Sequence, residues 1–161
     1  MRLLKQALPR VLAHPGDNAA RGDMLTAAAM GATAFQKGLG GMHALSHPVG
    51  ALYDTHHGTT NAIFMPYVLT FNRSAIAERI ARLAAYLQLP RIDFTGFLDF
   101  ILDLRAQAGV PHTLAEFGVD GDRAEQIATM AEADPSAGGN PVKFDAAAGR
   151  TVFDAAMAGR L

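Results

Sequence analysis

The chain has 161 residues, half of them hydrophobic, and its 14 basic and 15 acidic side chains leave a formal charge of -1. That apolar share excludes a disordered chain, and the near-neutral balance gives nucleic acid or an anionic membrane nothing to hold. There is no cysteine, so disulfides, thiolate nucleophiles and Cys-built zinc or iron–sulfur sites are excluded.

Alanine is abundant and β-branched residues are few, which favours helix throughout. The start, Met1-Arg2-Leu3-Leu4-Lys5, has a basic flavour, but Lys5, Gln6, Pro9 and Arg10 interrupt any apolar signal-peptide core. No apolar run approaches the roughly 20 residues of a membrane span. The expectation is therefore a cytoplasmic protein with no membrane partner.

Residues 2–13 predict a short helix with Pro9 as a kink or boundary. His14-Pro15-Gly16-Asp17 is a turn, and Asp17 is placed to cap the Ala-rich helix that runs from Asn18 to about Lys37. Gly31 within that helix marks either close helix packing or a tolerated glycine. Gly38, Gly40 and Gly41 punctuate the chain before a helix over 42–54. Another starts near Gly58 and runs to Phe71, with Pro66 inside it. Ser74 is expected to cap a helix over 75–88, whose Ile76, Ile80, Leu83, Ala84 and Leu87 recur at helical spacing.

Pro90 closes that helix. Helix 93–108 ends at Gly109-Val110-Pro111. Leu114, Phe117 and Val119 form a short packed turn. Helix 121–133 precedes the turn-rich loop 134–141, and helix 144–158 ends at Gly159. The prediction is an all-α protein, a helical bundle of about seven or eight helices with no strand. Leu45, Val49, Leu52, Ile63, Phe64, Val68 and Leu69 are expected in the core, with Met24, Met30, Met42 and Met65 as packing residues.

Chemistry concentrates in one stretch. Four of the six histidines, His43, His47, His56 and His57, fall within fifteen residues. His43 and His47 are spaced i, i+4 and share one helix face. His57, just before Gly58, can enter the same site from a turn. Neutral imidazole ligates divalent transition metals, so the cluster predicts part of a metal site. No Glu lies between His43 and His47, so the zinc-peptidase pattern H-E-x-x-H is absent.

The wider string is more specific. Gly38-Leu39-Gly40-Gly41-Met42-His43-Ala44-Leu45-Ser46-His47-Pro48-Val49-Gly50-Ala51, then His57-Gly58-Thr59-Thr60-Asn61-Ala62-Ile63-Phe64-Met65-Pro66 and Phe71-Asn72, resembles the iron-containing (group III) alcohol dehydrogenases. Leu8-Pro9, the Ala-rich helix, Asp134 and Asn140-Pro141 extend the resemblance over essentially the entire chain, as that family's helical C-terminal domain.

The resemblance implies that His43 and His57 are metal ligands, holding Fe(II) or, as a substitute, Zn(II). It implies that His47 is a catalytic neighbour of the metal, tied to substrate and proton handling, and not a ligand. His56 is expected at the site edge or surface, and His14 and His112 in ordinary turn or surface positions. A divalent cation stabilises a developing alkoxide or polarises a carbonyl, and NAD(P) in the complete enzyme takes the hydride. The substrate implied is a small alcohol or aldehyde.

The family's metal site also uses Asp-x3-His on an earlier helix, and no Asp in this chain has a His at i+4. Gly38-Leu39-Gly40-Gly41 follows a helix and is no substitute for a dinucleotide-binding loop, which follows a strand. Residues 1–161 are thus expected to form a single helical metal and substrate domain, with the N-terminal dinucleotide-binding domain absent and with little activity alone. Its expected partner is a second copy or that missing domain. The alternatives are a reductase of the same superfamily, such as a maleylacetate-reductase-like enzyme, and a non-catalytic helical remnant with weak metal binding.

Overall fold

Three helices begin on an aspartate whose carboxylate accepts the N–H three residues on. Asp17 accepts from Ala20 at 2.9 Å, Asp93 from Gly96 at 2.6 Å and Asp145 from Ala148 at 3.1 Å. Each cap satisfies a donor that the first helical turn leaves open. In the computed structural model, which describes all residues Met1–Leu161, eight α-helices form and no strand does. They are α1 (Arg2–Ala13), α2 (Asn18–Ala34), α3 (Gly41–Tyr53), α4 (His57–Phe71), α5 (Arg73–Tyr86), α6 (Phe94–Gln107), α7 (Ala124–Ala133) and α8 (Ala146–Ala158). Short 3-10 turns lie at Phe35–Lys37 and Pro135–Gly139. No helix is long and apolar enough to cross a membrane.

The chain divides into two compact units, Met1–Gly38 with Glu78–Ala108, and Leu39–Ala77 with Gly109–Leu161. In the first, α1 packs against α2 and α6. The Lys5 ammonium donates to the Leu87 carbonyl at 2.6 Å, where α5 has ended. α1 runs through Pro9 without a break. Gly31 has nothing within 4 Å of where a Cβ would sit, so it is a tolerated glycine and not a close contact. Met30, expected to pack, is 62% exposed.

The second unit carries the larger core. Leu45 and Val49 of α3, Ile63, Phe64, Tyr67 and Val68 of α4, Ile127 of α7 and Val152 and Phe153 of α8 bury together, with Leu114 and Val119 from the loop before α7. Leu52 is half-buried against this cluster, and Leu69 is half-buried. Helices α7 and α8 begin later than expected, at Ala124 and Ala146, because Asp145 takes the cap of α8 and Gly121 bends the chain at φ 82°. Ser74 is not the cap expected of it. Only Asn72 separates α4 from α5, and its carbonyl already accepts from Ala75 and Ile76, so Ser74 lies inside the first turn of α5.

The segment entering α3 is held by its glycines. A Cβ on Gly41 would meet the Phe144 ring at 2.6 Å, and one on Gly139 would meet the Leu39 carbonyl oxygen at 2.0 Å. That close approach lets the Asn140 side chain reach Gly41, whose N–H it accepts at 3.1 Å. The 3-10 turn after α7 is thereby seated against the start of α3, and this fixes the helix that carries the first two histidines.

Candidate metal centre

His43 and His47 leave α3 one turn apart, on the face turned to the start of α4. His57 is the first residue of α4, not a turn residue as expected, because the His56 ring caps the helix: its Nδ1 accepts the Thr59 N–H at 3.2 Å. A helix therefore sets the direction of His57 as firmly as α3 sets the other two. The three rings meet, with centroids 5.8 Å apart for His43 and His47, 5.4 Å for His43 and His57, and 5.4 Å for the stacked His47 and His57. His56 stays outside as a cap. His14 ends α1, and His112 stands beside Tyr67 and the Gly159 carbonyl.

The three imidazoles differ. His43 is 6% exposed. Burial, then the neighbouring His57 and His47 rings, push its pKa below the ordinary histidine value, against the opposing pull of Asp134. It is therefore neutral near neutral pH, as a ligand must be. His47 and His57 are exposed. The His47 Nδ1 lies 2.8 Å from a carboxylate oxygen of Asp134. Burial pushes the Asp134 carboxyl up, but hydrogen bonds from His47 and from Ser136 outweigh it and hold the group below the usual carboxylate range. An ionised carboxylate only accepts, so His47 donates from Nδ1 and keeps Nε2 for the site.

Asn61, one turn after His57 on α4, closes the cluster. Its amide nitrogen lies 2.9 Å from the His57 Nε2 and 3.4 Å from the His43 Nε2. The two ring nitrogens thus converge on one point, as the donors of a shared cation do. No group of three His, Asp or Glu side chains gathers there in a form that could hold a metal ion. The residues present fit two donors of a coordination sphere, where a closed zinc site takes about four.

Asp134 and Asn61 stand beside the histidines, and neither of them was assigned a role from the sequence. Asn61 had a signal, since it follows His57 at the same four-residue spacing that links His43 to His47. Asp134 entered only as part of the family resemblance, and nothing local linked it to His47, 87 positions away.

Comparison with known proteins gives this geometry a context. The model of the Fe-containing alcohol dehydrogenase family, C-terminal, matches residues 1–157. A 4-hydroxybutyrate dehydrogenase of Cupriavidus necator is 37% identical over 150 residues, which are 88% of this chain and 39% of that protein. An NAD-dependent methanol dehydrogenase of Bacillus methanolicus is 34% identical, again over 88% of this chain and 39% of its own length. The crystal structure of a 1,3-propanediol oxidoreductase superposes with a TM-score of 0.91 at 29% identity, covering 97% of this chain and 43% of that one. A maleylacetate reductase from Rhizobium sp. strain MTP-10005 superposes at 0.77 with 33% identity, over 98% of this chain and 43% of its own. The chain thus spans about two-fifths of the length of these relatives.

Proposed function

The chain belongs to the iron-containing alcohol dehydrogenase family, matching its C-terminal domain, and on that premise we propose that it is the metal- and substrate-side part of an NAD(P)-linked alcohol dehydrogenase. His43 and His57 hold a divalent cation, iron or zinc, through Nε2. The observation that carries this is the convergence of those two nitrogens on a single point beside Asn61. The remaining ligands and the nicotinamide-binding residues come from a part of the enzyme that these 161 residues do not contain. The relatives' greater length supports this.

The cation supplies Lewis-acid polarisation of a substrate oxygen. The chain's own residues do the rest. Burial keeps His43 neutral and its lone pair available. Asp134 anchors the His47 ring by its Nδ1, so the Nε2 of His47 faces the site as an acceptor for the proton that an alcohol loses on oxidation, or as its donor in reverse. Stacking of His47 on His57 places that nitrogen beside the ligand pair. The substrate class is a small alcohol or its aldehyde, and the setting is cytoplasmic. The partner is a dinucleotide-binding domain or a second copy of the chain. Reduction as the working direction is the second reading, supported by the maleylacetate reductase likeness.

Titration of the purified chain with Co(II) or Zn(II) tests the ligand assignment. Saturable 1:1 binding, lost in His43→Ala and in His57→Ala but kept in His47→Ala, is the expected result. Binding indifferent to His43 and His57, or none, overturns it in favour of a non-catalytic helical remnant. Alcohol-dependent NAD reduction by the chain alone is expected to be negligible.

A further inference from the structure

We propose that Asn61 is a positioning residue that holds both His43 and His57 in the tautomer a metal requires. The proposal rests on the reading of those histidines as ligands. An amide nitrogen carries two N–H groups and no lone pair to offer, so it only donates. The Asn61 Nδ2 lies within reach of two ring nitrogens at once, 2.9 Å from His57 Nε2 and 3.4 Å from His43 Nε2. Both must then accept. Each neutral ring carries its proton on Nδ1 and turns the Nε2 lone pair inward.

Histidine ligands are ordinarily fixed in their tautomer by a partner on the far nitrogen. Asn61 acts from the near side, on the ligating atoms themselves.

The other end of the amide has a matching anomaly. The Asn61 Oδ1 is buried and has no hydrogen-bond partner, an unfavourable state for a polar atom. The amide is therefore held by its nitrogen end, between the two imidazoles.

The test uses the whole chain, 15N-labelled, stripped of metal with a chelator and held well above the imidazole range. Long-range proton–nitrogen spectra then report which ring nitrogen carries hydrogen. Protons on Nδ1 of both His43 and His57 are expected. Asn61→Asp is isosteric but only accepts, and should move the proton to Nε2 on both rings. Asn61→Ala should release both to a mixture and weaken Zn(II) binding by about tenfold or more. Far-UV dichroism checks that each variant stays helical.

Protons on Nε2 in the unsubstituted chain, or ring spectra unchanged in both variants, overturn the proposal. If the tautomers follow expectation while Zn(II) binding ignores His43→Ala and His57→Ala, the ligand reading falls and the Asn61 assignment stands.

Discussion

Asn72 and Asn140 exchange two hydrogen bonds side chain to side chain. Asn72 donates to the Asn140 oxygen at 2.9 Å, and Asn140 donates back at 2.8 Å. The Asn140 oxygen also accepts the Gly41 N–H, and its nitrogen also donates to the Val142 carbonyl at 2.7 Å. One amide thus ties the end of α4, the start of α3 and the loop before α8. Asn140→Ala leaves the buried Asn72 amide and the Gly41 N–H without partners. The expected loss is roughly 2–3 kcal/mol in urea unfolding. A loss below about 0.5 kcal/mol would show that the pair is not a structural tie.

The glycines of the chain separate into two kinds. At Gly139 a methyl group would fall 2.0 Å from the Leu39 carbonyl oxygen, a backbone atom that cannot move aside alone. Gly139→Ala should destabilise the chain and loosen the entry to α3. At Gly31, in open space within α2, alanine should stabilise by up to about 1 kcal/mol. Thermal melts of the two variants should move in opposite directions.

Acid should weaken the fold through its caps. The Ala20 N–H, then the Arg10 guanidinium, hold the Asp17 carboxyl below its ordinary value. The Gly96 N–H does so for Asp93, and the Ala148 N–H, then Lys143, for Asp145. A carboxylate depressed in the folded state contributes stability above its unfolded pKa and loses it as pH falls through the folded value. Stability should therefore decline below about pH 4. Replacing the three caps by asparagine, which caps without titrating, should flatten that decline. An unchanged acid limb in the triple variant would mean that other carboxylates set it.

Asp134 does two jobs, and two substitutions separate them. Its other oxygen accepts the Ser136 N–H at 2.8 Å and starts the 3-10 turn. Asp134→Ala loses that cap and the His47 partner, and should cost about 1–2 kcal/mol. Asp134→Asn keeps an oxygen for Ser136 and should cost less, while leaving His47 without a charged acceptor. The nitrogen spectrum of His47 should lose its fixed Nδ1 proton in the alanine variant. Equal destabilisation by the two substitutions would contradict this division.

The parts of the fold that were legible in the sequence are those set by neighbours along the chain. The glycines Gly38, Gly40 and Gly41 placed α3 within one residue at either end, and Asp17 marked the cap of α2. Where the reading missed, a contact at a distance or an unusual cap had decided. His56 is not a residue that pattern reading offers as a cap, so α4 was expected one residue late. Ser74 looked like a cap because nothing local reveals that the Asn72 carbonyl already continues the hydrogen bonding into α5. The three site histidines lie within one turn or one loop of each other and were readable together. Asp134 reaches His47 only after the whole of α5, α6 and α7 has intervened.

That separation sets an order of events as the chain folds. The histidines and Asn61 occupy nineteen consecutive positions, 43–61, on two adjoining helices. Closing so short a loop costs little entropy, whereas each doubling of loop length adds about 0.6 kcal/mol. His43, His57 and Asn61 can gather while the chain emerges from the ribosome. His47 receives its carboxylate only when residue 134 has arrived, so the three imidazoles of a nascent chain can meet before the group that orients His47 is present.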